Sequence, residues 1–495
     1  MKKVKTVLNR RQALGLGGAA IASQLMSTSA LAGVAKRGSG IPDVLILGAG
    51  LSGLNAANLL ESQGYRVQVV EGSSRIGGRL YTAPESEVPG GPEIGGSGIG
   101  NSYARILDTA NRLGLKLVPE RLRTTAHPAD MMYHVFGEGM LADEWPHSRL
   151  NQFQNEKDRA VPPNIYQFIK YAQYNPLPKN DLQAWQRPEF SSHDVSVFDF
   201  LKSVGVPEAA INLAAGTNMS YGTNVYDLSV LMWFAIANWL RTDQELGADS
   251  PRAISGGNQR LPEAMAAQLK SEVLLGRHIT GIRSRKGGVE LHTTDDQVLR
   301  AKYCLCTVPF SALRHLRLDP LPLGEQQNAI ENIGYTPVFQ VHFVPTRKFW
   351  QEDGLPPSMW TDRKLGRFMA LRNDPKSPSE VTSYIAFVNG LPAQYLDRLA
   401  PEAAAAVLLA DLARIRPATK GALKAVKVWS WNRNPFAGGA YAYWKPGQIG
   451  RFANQISTPG KRLFFAGEHT AVLARGMEGA MESGERAAIE IMSTT

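Results

Sequence analysis

Apolar residues run unbroken over Val44-Leu45-Ile46-Leu47, and again over Val67 to Val70 with one polar interruption at Gln68. Short apolar runs of this kind, bounded by glycine, are the mark of strands buried on both faces. Between them Leu54, Ala57 and Leu60 recur one turn apart, which predicts a helix from Leu54 to Gln63, closed by Gly64. Strand, helix and strand in this order predict an α/β unit with parallel strands. Further helices are predicted around Val197–Val204, over Leu228–Leu240 and over Glu402–Ala413, the last begun by Pro401. The aromatics of the second, Trp233, Phe234 and Trp239, read as core. No segment after the first thirty or so residues reaches the roughly 18 uninterrupted apolar residues of a membrane span.

Composition adds bounds. A length of 495 residues implies two or more domains, and 43% hydrophobic with 20% charged residues is ordinary for a globular chain. The net charge of +10 is misleading. Residues 1–32 contain Lys2, Lys3, Lys5, Arg10 and Arg11 and no acid, so half of that charge sits at one end. The remainder shows no basic stripe with interleaved aromatics, so nucleic acid is not an expected partner. Cys304 and Cys306 share one face of a predicted strand. They are too few for a structural zinc site and too close in sequence for an unstrained disulfide, so they read as core thiols and no metal is expected.

Residues 1–32 read as an address. A basic start, the pair Arg10-Arg11, an apolar Gly/Ala-rich run from Ala13 to Met26, and small residues at Ala30-Leu31-Ala32 resemble a bacterial twin-arginine export signal. The expectation is a folded protein carried by the twin-arginine machinery, soluble in the periplasm and without stable membrane insertion. Residues 33–42 read as a flexible leader.

The turn between the first strand and helix is Gly48-Ala49-Gly50-Leu51-Ser52-Gly53, and Glu71 closes the second strand. Gly48 permits the tight turn, Gly50 lets a pyrophosphate approach the backbone, and Gly53 lets helix and strand pack closely. Ser52 lies in the same turn. The helix amino terminus offers N–H groups and a positive dipole end to phosphate, and Glu71 can accept from ribose hydroxyls. Strand, turn, helix, strand and acid in order predict a dinucleotide site. Gly72, Arg75, Gly77, Gly78 and Arg79 follow at once, and an arginine-flanked double glycine is unusual beside a nicotinamide.

That segment resembles the second dinucleotide contact of the FAD-dependent amine oxidase family, which includes monoamine and L-amino-acid oxidases. Other pieces agree. Arg462 to Thr470 is similar to the family's last strand and the acid after it, here Glu468, and Gly476-Met477-Glu478-Gly479-Ala480 to the start of its final helix. Gly90 to Ser97 resembles the segment passing the flavin, with Gly95, Gly96 and Ser97 beside the ring. His278-Ile279-Thr280 resembles the stretch that sets the backbone of Ile279 against adenine. The resemblance implies a Rossmann-like FAD-binding domain, glutathione-reductase-like in class α/β, with an interleaved α+β substrate-binding domain. It implies residues 43–119, 253–332 and 428–495 for the first, and 120–252 with 333–427 for the second. It also implies that Glu468 holds ribityl or ribose hydroxyls, that Arg79 faces the pyrophosphate, and that N–H groups near Met477 stabilise charge at the pyrimidine end of the flavin.

Trp431 to Tyr441 resembles the segment facing the flavin. Where mammalian monoamine oxidases have the cysteine that bonds the flavin, this chain has Ala440, so FAD is expected to be non-covalent. Tyr441 matches one wall of an aromatic cage that would orient an amine, but the opposite wall is Gly476. Many members place a lysine near flavin N5, and counting from Pro309 to Pro320 puts that position on Arg314, which casts doubt on a fast reaction with O2. Expected catalytic residues are thus Tyr441, Trp431 and Arg314. The expected reaction moves a hydride from the substrate α carbon to flavin N5, and the imine then hydrolyses. Electrons go to O2 or another acceptor, and a homodimer is the oligomer allowed for. The alternatives are an L-amino-acid oxidase or dehydrogenase, a flavin-binding protein without catalysis, and a desaturase of hydrophobic substrates. The last is disfavoured by the Trp431–Tyr441 segment. The first would need an arginine for the substrate carboxylate. None follows Gly96 until Arg105, although Arg252 or Arg372 could serve from elsewhere.

Overall fold

The computed structural model describes residues 40–120, 131–216, 219–247, 251–374 and 376–494. The export-signal reading falls on residues outside these. Val44–Leu47 is a strand with all four residues buried. Each is apolar because each is covered from both sides. It lies parallel to Val67–Val70 on one flank and to Tyr303–Cys306 on the other, and Leu463–Phe465 pairs parallel beyond that. The predicted strand–helix–strand unit is therefore present. Its helix starts earlier than periodicity suggested, at Leu51 rather than Leu54, and ends at Ser62. The last glycine of the turn is already helical, and apolar spacing alone cannot register a helix start made of Ser52 and Gly53. Gly64 follows with φ +87, a left-handed conformation that stops the helix.

The closing helix, Gly476–Thr494, packs on this first helix. The Ser52 and Ser483 hydroxyls lie 3.3 Å apart, and a Cβ on Gly484 would overlap the Ser52 carbonyl. Cys304 and Cys306 are free and buried in the parallel sheet. Burial pushes the Cys306 thiol up to about 12.

A second, seven-stranded sheet runs in the order 423–430, 338–345, 383–389, 367–371, 358–361, 131–135, 138–141. All its pairings are antiparallel except 358–361 with 131–135. Strand alternation sorts its side chains. Phe339, Val341, Phe343, Phe368, Ala370, Tyr384, Ala386 and Val388 form a core with helix Pro401–Ile415. Pro401 stands in the first turn of that helix, where a missing N–H costs nothing. The opposite face carries Val338, Gln340, Arg367 and Phe387, and it faces a cavity. A third sheet joins 279–285, 288–293 and 298–301 as a meander, with 317–319 added in parallel.

Helices Val197–Ser203 and Val230–Glu245 form where apolar spacing predicted them, the second beginning two residues later and running five further. Trp233, Phe234 and Trp239 are buried, as core aromatics should be. No helix among the described residues is long and apolar enough to cross a membrane.

Candidate active site

A cavity of about 930 Å³ starts at the glycine turn and ends against the seven-stranded sheet. Its first section is built from Gly48, Gly50, Ser52, Glu71, Gly72, Arg75, Gly78 and Ile279. Gly50 is the extended residue that opens the first helix, with no side chain capping it and no acid in the first turn. The helix N–H groups therefore remain available to an anion. Gly53 does not line the cavity. A Cβ there would overlap the Gly48 carbonyl, so its role is to let the helix sit on the turn. Glu71 is buried, and its two oxygens accept from the N–H groups of Ala49 and Ser73 at 2.8 Å each. Arg75 turns inward, donating to the carbonyls of Ile76, Gly78 and Leu80, with Tyr81 under its guanidinium at 4.6 Å. It shapes the double-glycine loop.

The middle section is held by Arg79 and Glu468. Arg79 Nη1 donates to Glu468 Oε1 and to the Ala440 carbonyl, both at 3.0 Å. One guanidinium nitrogen is thus committed to the protein and not to a pyrophosphate. The Ala442 N–H donates to the same Oε1 at 2.8 Å. Glu468 Oε2 is buried on the cavity wall and has no partner. A buried carboxylate oxygen left without a donor is costly, so it marks a place where a ligand hydroxyl belongs. Beside it, a Cβ on Gly96 would stand 2.9 Å from the Met477 sulfur. Gly95, Gly96, Ser97 and Met477 all line this section, as do Ala440 and Gly476. Glu478, in the first turn of the closing helix, is tied to Arg105, whose guanidinium also bonds Glu485. Arg105 is therefore spoken for.

The last section carries Tyr441, Trp431, Phe387, Tyr221, Val338, Gln340 and Arg367. Trp431 is 2% exposed, and its indole N–H donates to the Ile94 carbonyl at 3.1 Å. Gln340 Nε2 donates to the same carbonyl at 3.0 Å. These two bonds fix the backbone immediately before Gly95. Tyr441 packs against Tyr221 with ring centroids 4.6 Å apart, which leaves no room for a substrate between them. Tyr221, absent from every motif, supplies the second aromatic that Gly476 lacks, but as a neighbour of Tyr441 and not as a facing wall. Burial raises the pKa of both phenols.

Arg314 is corrected. It lies outside the cavity at the end of the short helix Phe310–Leu313, where it bonds the carbonyls of Phe310 and Ile333. Counting residues between prolines could not see that Ala312, His315 and Leu316 of this turn line the cavity while Arg314 does not. No lysine lines the cavity among the described residues; His315, one residue after Arg314, does, and Gln340 is a further polar group on the wall. Arg252 and Arg372 are also elsewhere, donating to Asn101 and to the Ser379 carbonyl. Gln340 and Arg367 went unnoticed in the sequence. The available signal was polar residues two apart in an apolar strand, as in Val338-Phe339-Gln340-Val341-His342.

The glycine turn, the buried acid closing the second strand, and a cavity running on to an aromatic wall are the features of a dinucleotide-binding oxidoreductase. The chain belongs to the flavin containing amine oxidoreductase family, whose model matches residues 51–492. It is 25% identical over 471 residues to a flavin-containing amine oxidase of Danio rerio, covering 91% of this chain and 85% of the relative. It is 26% identical over 470 residues to an L-amino-acid oxidase of Siganus canaliculatus, with the same coverage. A putrescine oxidase variant redesigned in its cofactor binding shares the fold, with TM-score 0.72 and 23% identity over 92% of this chain and 99% of that one. The protein is an FAD-dependent oxidoreductase of amines.

The residues present fit that cofactor. The uncapped helix start suits a pyrophosphate, and the unpartnered oxygen of Glu468 suits a hydroxyl donor. Neither cysteine lines the cavity, and Ala440 has no atom that could bond a flavin, so FAD is held without a covalent link.

Proposed function

We propose that the protein oxidises a small amine at the wall formed by Tyr441, Trp431 and Phe387, and that the residues named above hold its FAD. The observation behind this reading is the continuity of one cavity, from the glycine turn to an aromatic wall. Glu71 would accept from the adenosine ribose, the helix start at Gly50 would face the pyrophosphate, and Glu468 would accept from the ribityl chain. Bound FAD supplies a two-electron acceptor for the hydride of the substrate α carbon, and water then converts the imine to a carbonyl product and ammonia or amine. The chain's own part is positional. Trp431 and Gln340 hold Gly95 and Gly96 in place, and Tyr441 with Phe387 presents an aromatic surface to the substrate. No side chain is required as a nucleophile.

The parallel sheet and its helices, 43–119, 253–332 and 428–495, would form the cofactor domain. Residues 120–252 and 333–427 would form the substrate domain. Electrons leave to O2 or to another acceptor. Anaerobic addition of an amine panel to the purified protein tests the reading. Bleaching of the yellow absorbance is expected; a flavin that no amine bleaches would identify a binding protein without catalysis.

The amino terminus supports export by the twin-arginine route to the periplasm, a path that carries folded, cofactor-loaded proteins. Replacing Arg10 and Arg11 by Lys should leave the protein in the cytoplasm. An unchanged periplasmic yield would count against export by this route.

A further inference from the structure

Arg416, 2% exposed, makes two bonds to Asp353 at 2.7 and 2.8 Å and two more to the carbonyls of Leu355 and Pro356. Arg475 donates to the Ala442 carbonyl at 2.8 Å, although its Nε has no partner. Arg367 differs. It opens the strand Arg367–Leu371, and alternation turns it away from the Phe368 and Ala370 core and into the cavity. Its guanidinium stacks over Phe387 at 4.9 Å, and its Nε is buried without a partner. No acid among the described residues pairs with it. The carboxylates that line the cavity are Glu71 and Glu468, and both are engaged at the dinucleotide sections. Burial pulls the guanidinium below its ordinary pKa, so the protein does not compensate this charge.

A half-buried cation without a counter-charge is unfavourable, and an anion delivered by a ligand offsets that cost. A guanidinium presents a fork that matches a carboxylate. We infer that the amine oxidised here carries a carboxylate, and that Arg367 is the residue that holds it. This rests on the amine-oxidising reading above and names its substrate class: an amino acid whose apolar side chain meets Phe387, Tyr221 and Val338. The same cation repels a second ammonium, so diamines are excluded. Arg367 comes from a strand of the seven-stranded sheet, far in sequence from the segment after Gly96.

Matched probes test it. L- and D-phenylalanine, 2-phenylethylamine and 1,4-diaminobutane are compared by the rate of anaerobic flavin reduction, in the wild type and in Arg367→Met and Arg367→Lys. Binding of phenylacetate, which has the carboxylate and no amine, is followed by its perturbation of the flavin spectrum. The faster phenylalanine enantiomer should exceed phenylethylamine in reduction rate over KM, and the diamine should be slowest. In Arg367→Met that preference should fall by about 30-fold or more, with phenylacetate binding weakened equally, because a buried charge pair loses one partner. Arg367→Lys should recover part of both. Phenylethylamine matching phenylalanine in the wild type, or phenylacetate binding unchanged in Arg367→Met, overturns the assignment while leaving amine oxidation standing. If no amine reduces the flavin, amine oxidation fails, and phenylacetate binding still decides the role of Arg367.

Discussion

Glu468→Gln separates the two tasks of one carboxylate. In the protein alone, Glu468 Oε1 accepts from Arg79 at 3.0 Å and from the Ala442 N–H at 2.8 Å. The side chains of Glu468 and Arg79 are 6% and 19% exposed, so this pair is shielded from solvent. A glutamine can place its oxygen where Oε1 stands and keep both bonds, but without the charge. A charge-assisted bond is roughly twice as strong as a neutral one, so the loss to folding is about 1–2 kcal/mol. The amide nitrogen then occupies the place of Oε2, the oxygen that has no protein partner. If that oxygen accepts from a cofactor hydroxyl, the variant presents a donor to a donor. FAD affinity should fall by a further ~1.5–3 kcal/mol, which is about 10- to 150-fold in Kd. Urea unfolding of the apoprotein reads the first effect, and quenching of FAD fluorescence on titration reads the second. A variant that binds FAD within about twofold of the wild type, with the same apoprotein stability, would refute both parts of the argument.

Three further outcomes are expected. Gly53→Ala should impair FAD retention and cost about 1–3 kcal/mol of stability, because the new methyl overlaps the Gly48 carbonyl and the helix must lift from the turn; a normal flavin content after purification argues against it. Acid precipitation should release the yellow colour into the supernatant, since Ala440 cannot bond the ring, and flavin left on the pellet would contradict this. His342 is fully buried, and burial holds its imidazole down at about 3. The unfolded chain takes up that proton near pH 6.5 and the folded one does not, so stability is intact above 6.5 and falls at about 1.4 kcal/mol per pH unit between 6.5 and 3. His342→Leu should flatten that part of a urea-midpoint profile, and an unaltered slope would remove His342 as its cause.

What the sequence made readable was local. The glycine turn, Glu71 and the double glycine are contiguous, and each residue type is dictated by what its own backbone must do. Ser52, Gly95 and Met477 were legible for the same reason. Counting along the chain reached the turn that lines the cavity through Ala312, His315 and Leu316, but not which of its residues face inward. Gln340 lies on a strand face whose direction is set by the pairing with 383–389 and 423–430, which lies far off in the sequence. Arg367 was hidden likewise: on its own strand it looks like an ordinary polar residue at an edge. Tyr221 comes from a segment without regular structure, so only the packing against Tyr441 reveals it.

The Ile94 carbonyl receives both the Trp431 indole and the Gln340 amide. One atom is therefore the datum from which two surfaces are measured: the glycine floor that follows it, and the substrate wall from which both donors project. Changes on the wall are transmitted to the floor as displacement rather than as lost contact area. Reshaping the substrate side of this protein by replacing Trp431 or Gln340 would alter the tilt between donor and acceptor before it altered pocket size. Redesign for a new amine should therefore leave these two residues alone and work at Phe387, Tyr221 and Val338, which touch the cavity without holding that datum.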